Sequence, residues 1–523
     1  MAAAWQEAVR SATAAGDPAR AGALLEEAIA ADPRDRLARR ERVRLALAAG
    51  DHRAALPHLE ALVAAEPRNP DGQGMLGMLR RALGDRAGAA AAFEAAYQLR
   101  PGHVPTAHLL GGILVELNDI PRAIEVLGAA TRLAPREAPV LATYAAALVR
   151  AERLAEGEAM ARRALALDPS QVEAWVNLGT ARRLQGDNAG ALAATEDALR
   201  RAPHLPEAHV NRALALLSLG RLEEGWRANE WYWRQPHTPP RPFRQPWWDG
   251  GDAAGAILVW GDQGIGDQIW AAAFLPALVE AGHRLVVECE RRLSPLFARS
   301  FPAIEVIARA DPPDPRLARP DLVAQTPITR LAALAWRRDG TRARPDHRLA
   351  VDPARRDAIR GRYQAEARGR RTVGIAWRSR KPDGRLVELP LALWAPLLTQ
   401  PGLMMVDLQY GDTAADRAAV VAGLGVTVYR DPDVDSMADL DGFAAQVAAL
   451  DHVATAVNVT VATALAVGTP VDVAVRAYQP DWRYPPASAA SPWLPGAGLH
   501  RQSDPARWED VMAAIAASAR GGN

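Results

Sequence analysis

Small apolar residues recur along the first 235 residues at positions that keep one helical face non-polar. One series reads Ala28, Leu62, Ala96, Ala130, Ala164 and Ala198; another reads Ala21, Ala55, Ala89, Ala123, Gly157 and Ala191. Every step in both is 34 residues. Prolines fall in the same phase at Pro33, Pro67, Pro101, Pro135, Pro169 and Pro203. A fourth series, Gly16, Gly50, Gly84, Asn118, Glu152, Gly186 and Gly220, marks where the chain must turn, and most of its members tolerate a left-handed backbone. The pattern predicts two antiparallel helices per period, brought close by small residues and punctuated by a proline that cannot continue the preceding helix.

A 34-residue period with these marks is that of tetratricopeptide repeats. Gly77, Gly111 and Gly179 fall at the small position of the first helix. Such repeats stack into a solenoid that offers a long groove to peptides or proteins. His52, His58, His103, His108, His204 and His209 are scattered and read as packing or surface residues. The array is expected to end near Trp226, where Trp226, Trp231, Tyr232 and Trp233 cluster as a cap or as a weld to the next domain. Prolines 236, 239, 240, 242 and 246 then predict a rigid connector.

From Gly255 the period changes. Short apolar runs predict strands at Ala256–Trp260, Arg284–Glu290, around Ile307, Thr372–Trp377, Met404–Tyr410, around Val428, His452–Val457 and Val471–Val475. Helical patterns lie between them, at Ile269–Gly282 and in the LALWAPLLTQ segment among others, and a last helix closes the pattern at Trp508–Arg520. Alternation of strand and helix predicts α/β architecture with two doubly wound, Rossmann-like lobes. The expected boundaries are repeats at 1–235, a proline-rich connector at 236–254, an N-terminal lobe at 255–350 and a C-terminal lobe at 351–523. Ligands of such sheets bind at the carboxyl ends of the strands.

Composition narrows the setting. The net charge of +1 gives no bulk attraction to nucleic acid. Cys289 is the single cysteine, so neither a disulfide nor a thiolate metal cluster can form within the chain, and no metal site is expected. No charged leader precedes an apolar core, and no span of about 20 apolar residues stands out. A cytoplasmic setting is the expectation. Lys381 is the one lysine among many arginines, a usage that suggests a GC-rich bacterial genome.

The candidate chemistry sits in loops at the ends of strands. Gly261-Asp262-Gln263-Gly264-Ile265-Gly266-Asp267 links a strand to a helix, and its glycines allow a ligand to approach N–H groups at a helix start. It lacks the dinucleotide spacing and any P-loop lysine. Asp267 also fits a plain helix cap. Arg378 and Lys381 come just after the strand at Thr372–Trp377; Gln409 and Tyr410 end the strand at Met404–Tyr410; Asn458 and Thr460 open a helix, where a phosphate could meet a positive dipole end, although Asn458 too fits a simple cap.

The run WGDQGIGDQIWAAAFLPAL resembles the glycine–aspartate loop of heptosyltransferase-like enzymes, and more closely that of bacterial tetratricopeptide proteins with a heptosyltransferase-like (GT-B) domain. EEGWRANEWYWR, PWWDG, VGIAWRSRKPDGR, VDLQYGD, PDWR and SPWLP match that group in order and spacing over almost the whole chain. The architecture is similar to O-GlcNAc transferase and to flagellin glycosyltransferases. The resemblance implies a metal-independent, inverting glycosyltransferase that needs no cofactor beyond a nucleotide-sugar co-substrate. It implies that Asp267 is the general base, with Asp262 the weaker candidate, and that Gly264, Gly266, Arg378, Lys381, Gln409, Tyr410, Asn458, Thr460, Asp481, Trp482 and Arg483 face the donor. Packing is the other reading of Trp482. The acceptor would be a protein held by the repeats, flagellin being the example the resemblance suggests. The chain departs from the family wording at Val457, Val459, Ala462 and Leu465, where aspartate, serine, histidine and glycine are usual. Those departures keep open a non-catalytic scaffold with a degenerate transferase domain.

Overall fold

The computed structural model describes residues 2–236, 238, 241–339, 349–380, 386–477, 481–485, 490–505 and 507–521. They form two compact units, Met1–Asn211 and Arg212–Asn523.

In the first unit, helices of 13 and 14 residues alternate from Ala2–Ala14 and Pro18–Ala31 to Val172–Leu184 and Asn188–Arg201. Every residue of the predicted turn series has a left-handed backbone, from φ 60° at Glu152 to 87° at Gly186. Glu152 thus holds a conformation that its neighbours in the series reach with glycine or asparagine. Asp17, Asp51, Asp85, Asp119 and Asp187 cap the second helices, each accepting from the N–H three residues on. The small positions are small for a steric reason. A Cβ on Gly111 would come 2.4 Å from Leu127, and one on Gly77 would come 2.6 Å from Phe93.

First helices also pack on one another: Ala138–Arg150 touches both Val104–Glu116 and Val172–Leu184. His108 and Thr143 share a 2.9 Å hydrogen bond across that layer, and Asn177 Nδ2 donates to the Ala142 carbonyl at 2.9 Å.

The second unit holds two parallel sheets. The N-lobe strands are β1 (Ala256–Trp260), β2 (Arg284–Cys289), β3 (Glu305–Ala308) and β4 (Leu322–Pro327), in the order β3-β2-β1-β4. In the C-lobe come β5 (Arg371–Ala376), a small hairpin of β6 (Arg378–Arg380) with β7 (Leu386–Glu388), then β8 (Leu403–Asp407), β9 (Val428–Tyr429), β10 (His452–Ala456), β11 (Val471–Val475) and β12 (Ala497–Arg501). The large C-lobe sheet runs β12-β11-β10-β5-β8-β9. Consecutive parallel strands joined by helices bury both sheet faces, which is why β1, β5, β8, β10 and β11 are mostly apolar, with a few buried polar residues such as Thr455 and Asp472 among them. The connector docks along the N-lobe: Trp248 N–H donates to the Gln325 carbonyl at 2.8 Å and Arg241 reaches Glu288 at 2.6 Å.

Several sequence expectations are adjusted. The helix expected over Ile269–Gly282 is two, Ile265–Ala272 and Leu275–Glu280, because Pro276 lacks the N–H that would continue the ladder. The LALWAPLLTQ segment is a 3₁₀ turn, Leu391–Trp394, and one short helical turn, Ala395–Leu398, for the same reason at Pro396. β8 stops at Asp407, whose carboxylate accepts the Gln409 N–H at 2.8 Å and turns the chain away. The apolar pattern predicts no strand at β4 or β12. β4 carries Gln325 and Thr326, polar yet buried, with Gln325 Oε1 accepting from the Trp260 indole at 2.5 Å.

Among the described residues no helix is long and apolar enough to cross a membrane, and no three His, Cys, Asp or Glu side chains group to hold a metal. Cys289 is buried at the end of β2; burial first, then Glu290 and Glu288, push its thiol up to about 12.

Candidate functional site

Each sheet has one place where the chain changes direction of travel. In the N-lobe the strands step outward from β1 to β3, and the chain then returns to lay β4 on the other side of β1. In the C-lobe the reversal falls between β5 and β10. Loops diverge at such points and leave a crevice at the carboxyl ends of the strands.

The N-lobe loops that diverge there are tied by Asp262. Its Oδ1 accepts the Thr329 N–H at 3.0 Å and its Oδ2 accepts the Thr329 hydroxyl at 2.6 Å. Burial pushes Asp262 up to about 6, against the Thr329 bonds and with help from the Asp267 charge. The next residue, Gln263, has a left-handed backbone at φ 56°. A strained non-glycine residue in a strand-to-helix loop is a mark of functional sites. The Tyr232 hydroxyl is pushed up to about 12 by burial and by the charges of Asp262 and Asp267.

Gly264 caps the helix Ile265–Ala272, and Asp267 lies in its first turn. Asp267 Oδ2 accepts the Gly264 N–H at 3.0 Å. Its Oδ1 lies 2.8 Å from Arg483 Nη2, which belongs to the C-lobe. Arg483 is shared: Asp481 Oδ2 lies 2.7 Å from the same nitrogen. Burial alone would lower Arg483, but Asp481 and Asp267 outweigh it and hold the guanidinium above the usual arginine range. Its face lies 5.0 Å from the Trp270 ring.

The C-lobe turns at the reversal are joined by Asn458. Its Oδ1 accepts from the Thr460 N–H at 2.9 Å and the Thr455 hydroxyl at 3.1 Å, capping the helix Val459–Val467. Its Nδ2 donates to the Arg378 carbonyl at 3.3 Å. Thr460 is buried. The two helix starts meet directly: a Cβ on Gly266 would come 3.3 Å from the Val459 Cα.

The expected residues therefore divide into two groups. Gly264, Gly266, Asp267, Asp481, Asn458 and Thr460 gather where the two helix starts meet. Arg378 and Gln409 brace the sheet behind it. Arg378 Nη2 donates to the Asp412 carbonyl at 2.6 Å and lies 3.2 Å from Asp416. Gln409 is fully buried, its Oε1 accepting the N–H groups of Trp377 at 3.0 Å and Arg378 at 2.9 Å. Tyr410 is half-buried after β8. Lys381 lies outside the described residues. Trp482 packs edge-on against Trp226 at 5.1 Å, Trp270 at 5.8 Å and Trp493 at 5.0 Å. Trp270 also donates its indole N–H to the Trp493 carbonyl at 2.8 Å, so this quartet fastens one lobe to the other. The sequence reading missed Thr329, which stands just past the unread β4, and Gln263, whose backbone strain has no compositional signature.

Comparison with known proteins agrees with the repeats and extends past them. Tetratricopeptide repeat families match residues 12–79 and 80–147, and again 145–206 and 177–225. Protein FlbA of Caulobacter vibrioides is 30% identical over 436 residues, 72% of this chain and 72% of that one. Among solved structures, MamA 41-end from Desulfovibrio magneticus RS-1 has a TM-score of 0.30 at 23% identity, covering 32% of this chain and 95% of its own. A tetratricopeptide repeat protein from Parabacteroides merdae has a TM-score of 0.37 at 15% identity, covering 43% and 90%.

Proposed function

We propose that this chain, which belongs to the family of Protein FlbA, is a glycosyltransferase that moves a sugar from a nucleotide-sugar donor to a serine or threonine hydroxyl of a protein held by the repeats. The carrying observation is the meeting of the two chain reversals, one per sheet, with a carboxylate on the N-lobe side and the N–H-rich start of a helix on the other. Asp267 takes the acceptor hydroxyl proton as the oxygen attacks the anomeric carbon, and the nucleotide leaves with the bonding pair. Arg483 and the positive dipole end of the helix Val459–Val467, whose Thr460 N–H is held by Asn458, stabilise the charge that grows on the departing phosphate, so no metal ion is needed in this reading. Because Gly266 touches Val459, the phosphates lie beside that contact rather than across it. One base and one displacement give inversion.

A second reading has its own support. Both Asp267 oxygens already have partners, and the polar side chains of the family wording are replaced by Val457 and Val459. On this reading the lobes are a scaffold and the repeats recruit proteins without chemistry. Nucleotide release from a panel of nucleotide sugars separates the two. Turnover that is lost in Asp267→Ala supports the enzyme; a flat response to every donor, with or without flagellin as first acceptor, leaves the scaffold.

A further inference from the structure

Tyr232 comes just after the helix Leu222–Asn229, yet its surroundings belong to the N-lobe. Its ring packs against Trp233, Ala256, Leu258 and Trp260, a cluster that covers one face of β1, and meets the Trp233 ring edge-on at 5.5 Å. The chain is pinned on either side of it. Arg330 Nε donates to both Glu230 oxygens, at 2.8 and 3.0 Å, and Arg330 follows Thr329, the residue that Asp262 grips. Thr238 Oγ1 donates to the Tyr232 carbonyl at 2.7 Å. The ring is therefore held on the loop that carries Asp262. Among the described residues no hydrogen bond engages its hydroxyl, and the side chain is half-buried, so an incoming group can reach it.

The charges that act on this hydroxyl are those of the site. Burial first, then Asp262 and Asp267, push it up to about 12, so it keeps its proton at neutral pH. It is a hydrogen-bond donor beside two acceptors. A serine or threonine hydroxyl has one proton and two lone pairs. With the proton turned to Asp267 and one lone pair taken by a phenol O–H, a single lone pair is left to face the anomeric carbon. A fixed donor also gains strength as negative charge grows on the attacking oxygen.

We infer that Tyr232 binds the acceptor: its hydroxyl donates to the serine or threonine oxygen and aims the remaining lone pair at the sugar. The inference rests on the glycosyltransferase reading and adds the group that orients the nucleophile. The acceptor proton passes to Asp267, the new carbon–oxygen bond forms as the bond to the phosphate breaks, and Tyr232 ends with the proton it began with.

The test compares the full-length wild type with Tyr232→Phe, which removes one oxygen and keeps the ring in its cluster. Each protein receives a panel of nucleotide sugars with a labelled sugar. Two rates are read at saturating donor: nucleotide release into buffer, where water is the acceptor, and label incorporated into protein from an extract of source cells that lack this gene. Water is small and turns freely, so it depends less on being aimed than a side chain fixed in a protein does. The ratio of incorporation to release should fall by about tenfold in Tyr232→Phe. An unchanged ratio overturns the inference, whether both rates hold or both fall together, because a structural or donor-side role moves them alike. Release by the wild type without incorporation overturns it too. A wild type that releases no nucleotide from any donor removes the enzyme reading itself, and this inference with it.

Discussion

The guanidinium of Arg483 reaches from the C-lobe to within 2.8 Å of the Asp267 carboxylate in the N-lobe and shares the same nitrogen with Asp481 at 2.7 Å. One cation thus holds together two carboxylates that would otherwise repel. Arg483→Ala is expected to lower stability by about 2–4 kcal/mol, since two partly enclosed anions lose their shared partner. Thermal unfolding measures it. Asp267→Asn should behave differently. It keeps an oxygen for the Gly264 N–H and leaves Arg483 its Asp481 partner, so it should cost less stability than Arg483→Ala, while nucleotide release falls by about 100- to 10,000-fold. Matching losses of stability in both variants would argue that Asp267 is only a structural link.

Asp262 titrates the other way from an ordinary surface carboxylate. Burial raises it to about 6 in the folded chain, whereas unfolded it sits near its usual 3.8. Between those values the folded state holds a proton that the unfolded state has lost, so this residue's contribution to stability falls as pH rises through that window and is level above it. Asp262→Asn removes the charge; its oxygen still accepts the Thr329 N–H, and its NH2 donates to the Thr329 hydroxyl, the reverse of the wild-type bond. It should unfold at a higher temperature than wild type at pH 8, by on the order of 2 kcal/mol, and lose that advantage at pH 4. Unfolding scans across pH check the sign.

In the repeats, Gly111→Ala should cost about 1–3 kcal/mol because the new methyl group overlaps Leu127. Glu152→Gly should gain up to about 1 kcal/mol by relieving a left-handed backbone at φ 60°. Urea unfolding of the two variants reads both signs.

Trp482→Ala removes the ring that touches Trp226, Trp270 and Trp493. A loss of about 3 kcal/mol is expected. The remaining indoles should become wetter, seen as a red shift of intrinsic fluorescence. An unshifted spectrum with unchanged stability would show that the quartet does not fasten the lobes.

The repeats were legible because each of their marks has a local cause. A left-handed turn needs Gly or Asn, and a close helix crossing needs no side chain; both leave a residue type at a fixed spacing. The strands at β1, β5, β10 and β11 were legible for a similar reason, since burial on both faces leaves mostly β-branched and small apolar residues around at most two polar ones. β4 was not, because its buried Gln325 and Thr326 are satisfied by partners that only the fold supplies. The site was half legible. Gly264, Asp267 and Asn458 announce themselves as helix starts after strands. That Arg378 turns to Asp412 and Asp416, or that Asp262 grips Thr329 67 residues away, depends on which strands become neighbours.

Cys289 is enclosed at the end of β2 and its thiol is pushed up to about 12, so almost none of it is thiolate at neutral pH. It is also the only cysteine in the sequence. A maleimide dye or spin label should pass over the native protein and attach solely where an engineered surface cysteine invites it. Pairs of such labels, one on each lobe, could then track the opening of the Gly266–Val459 contact without any background signal to subtract.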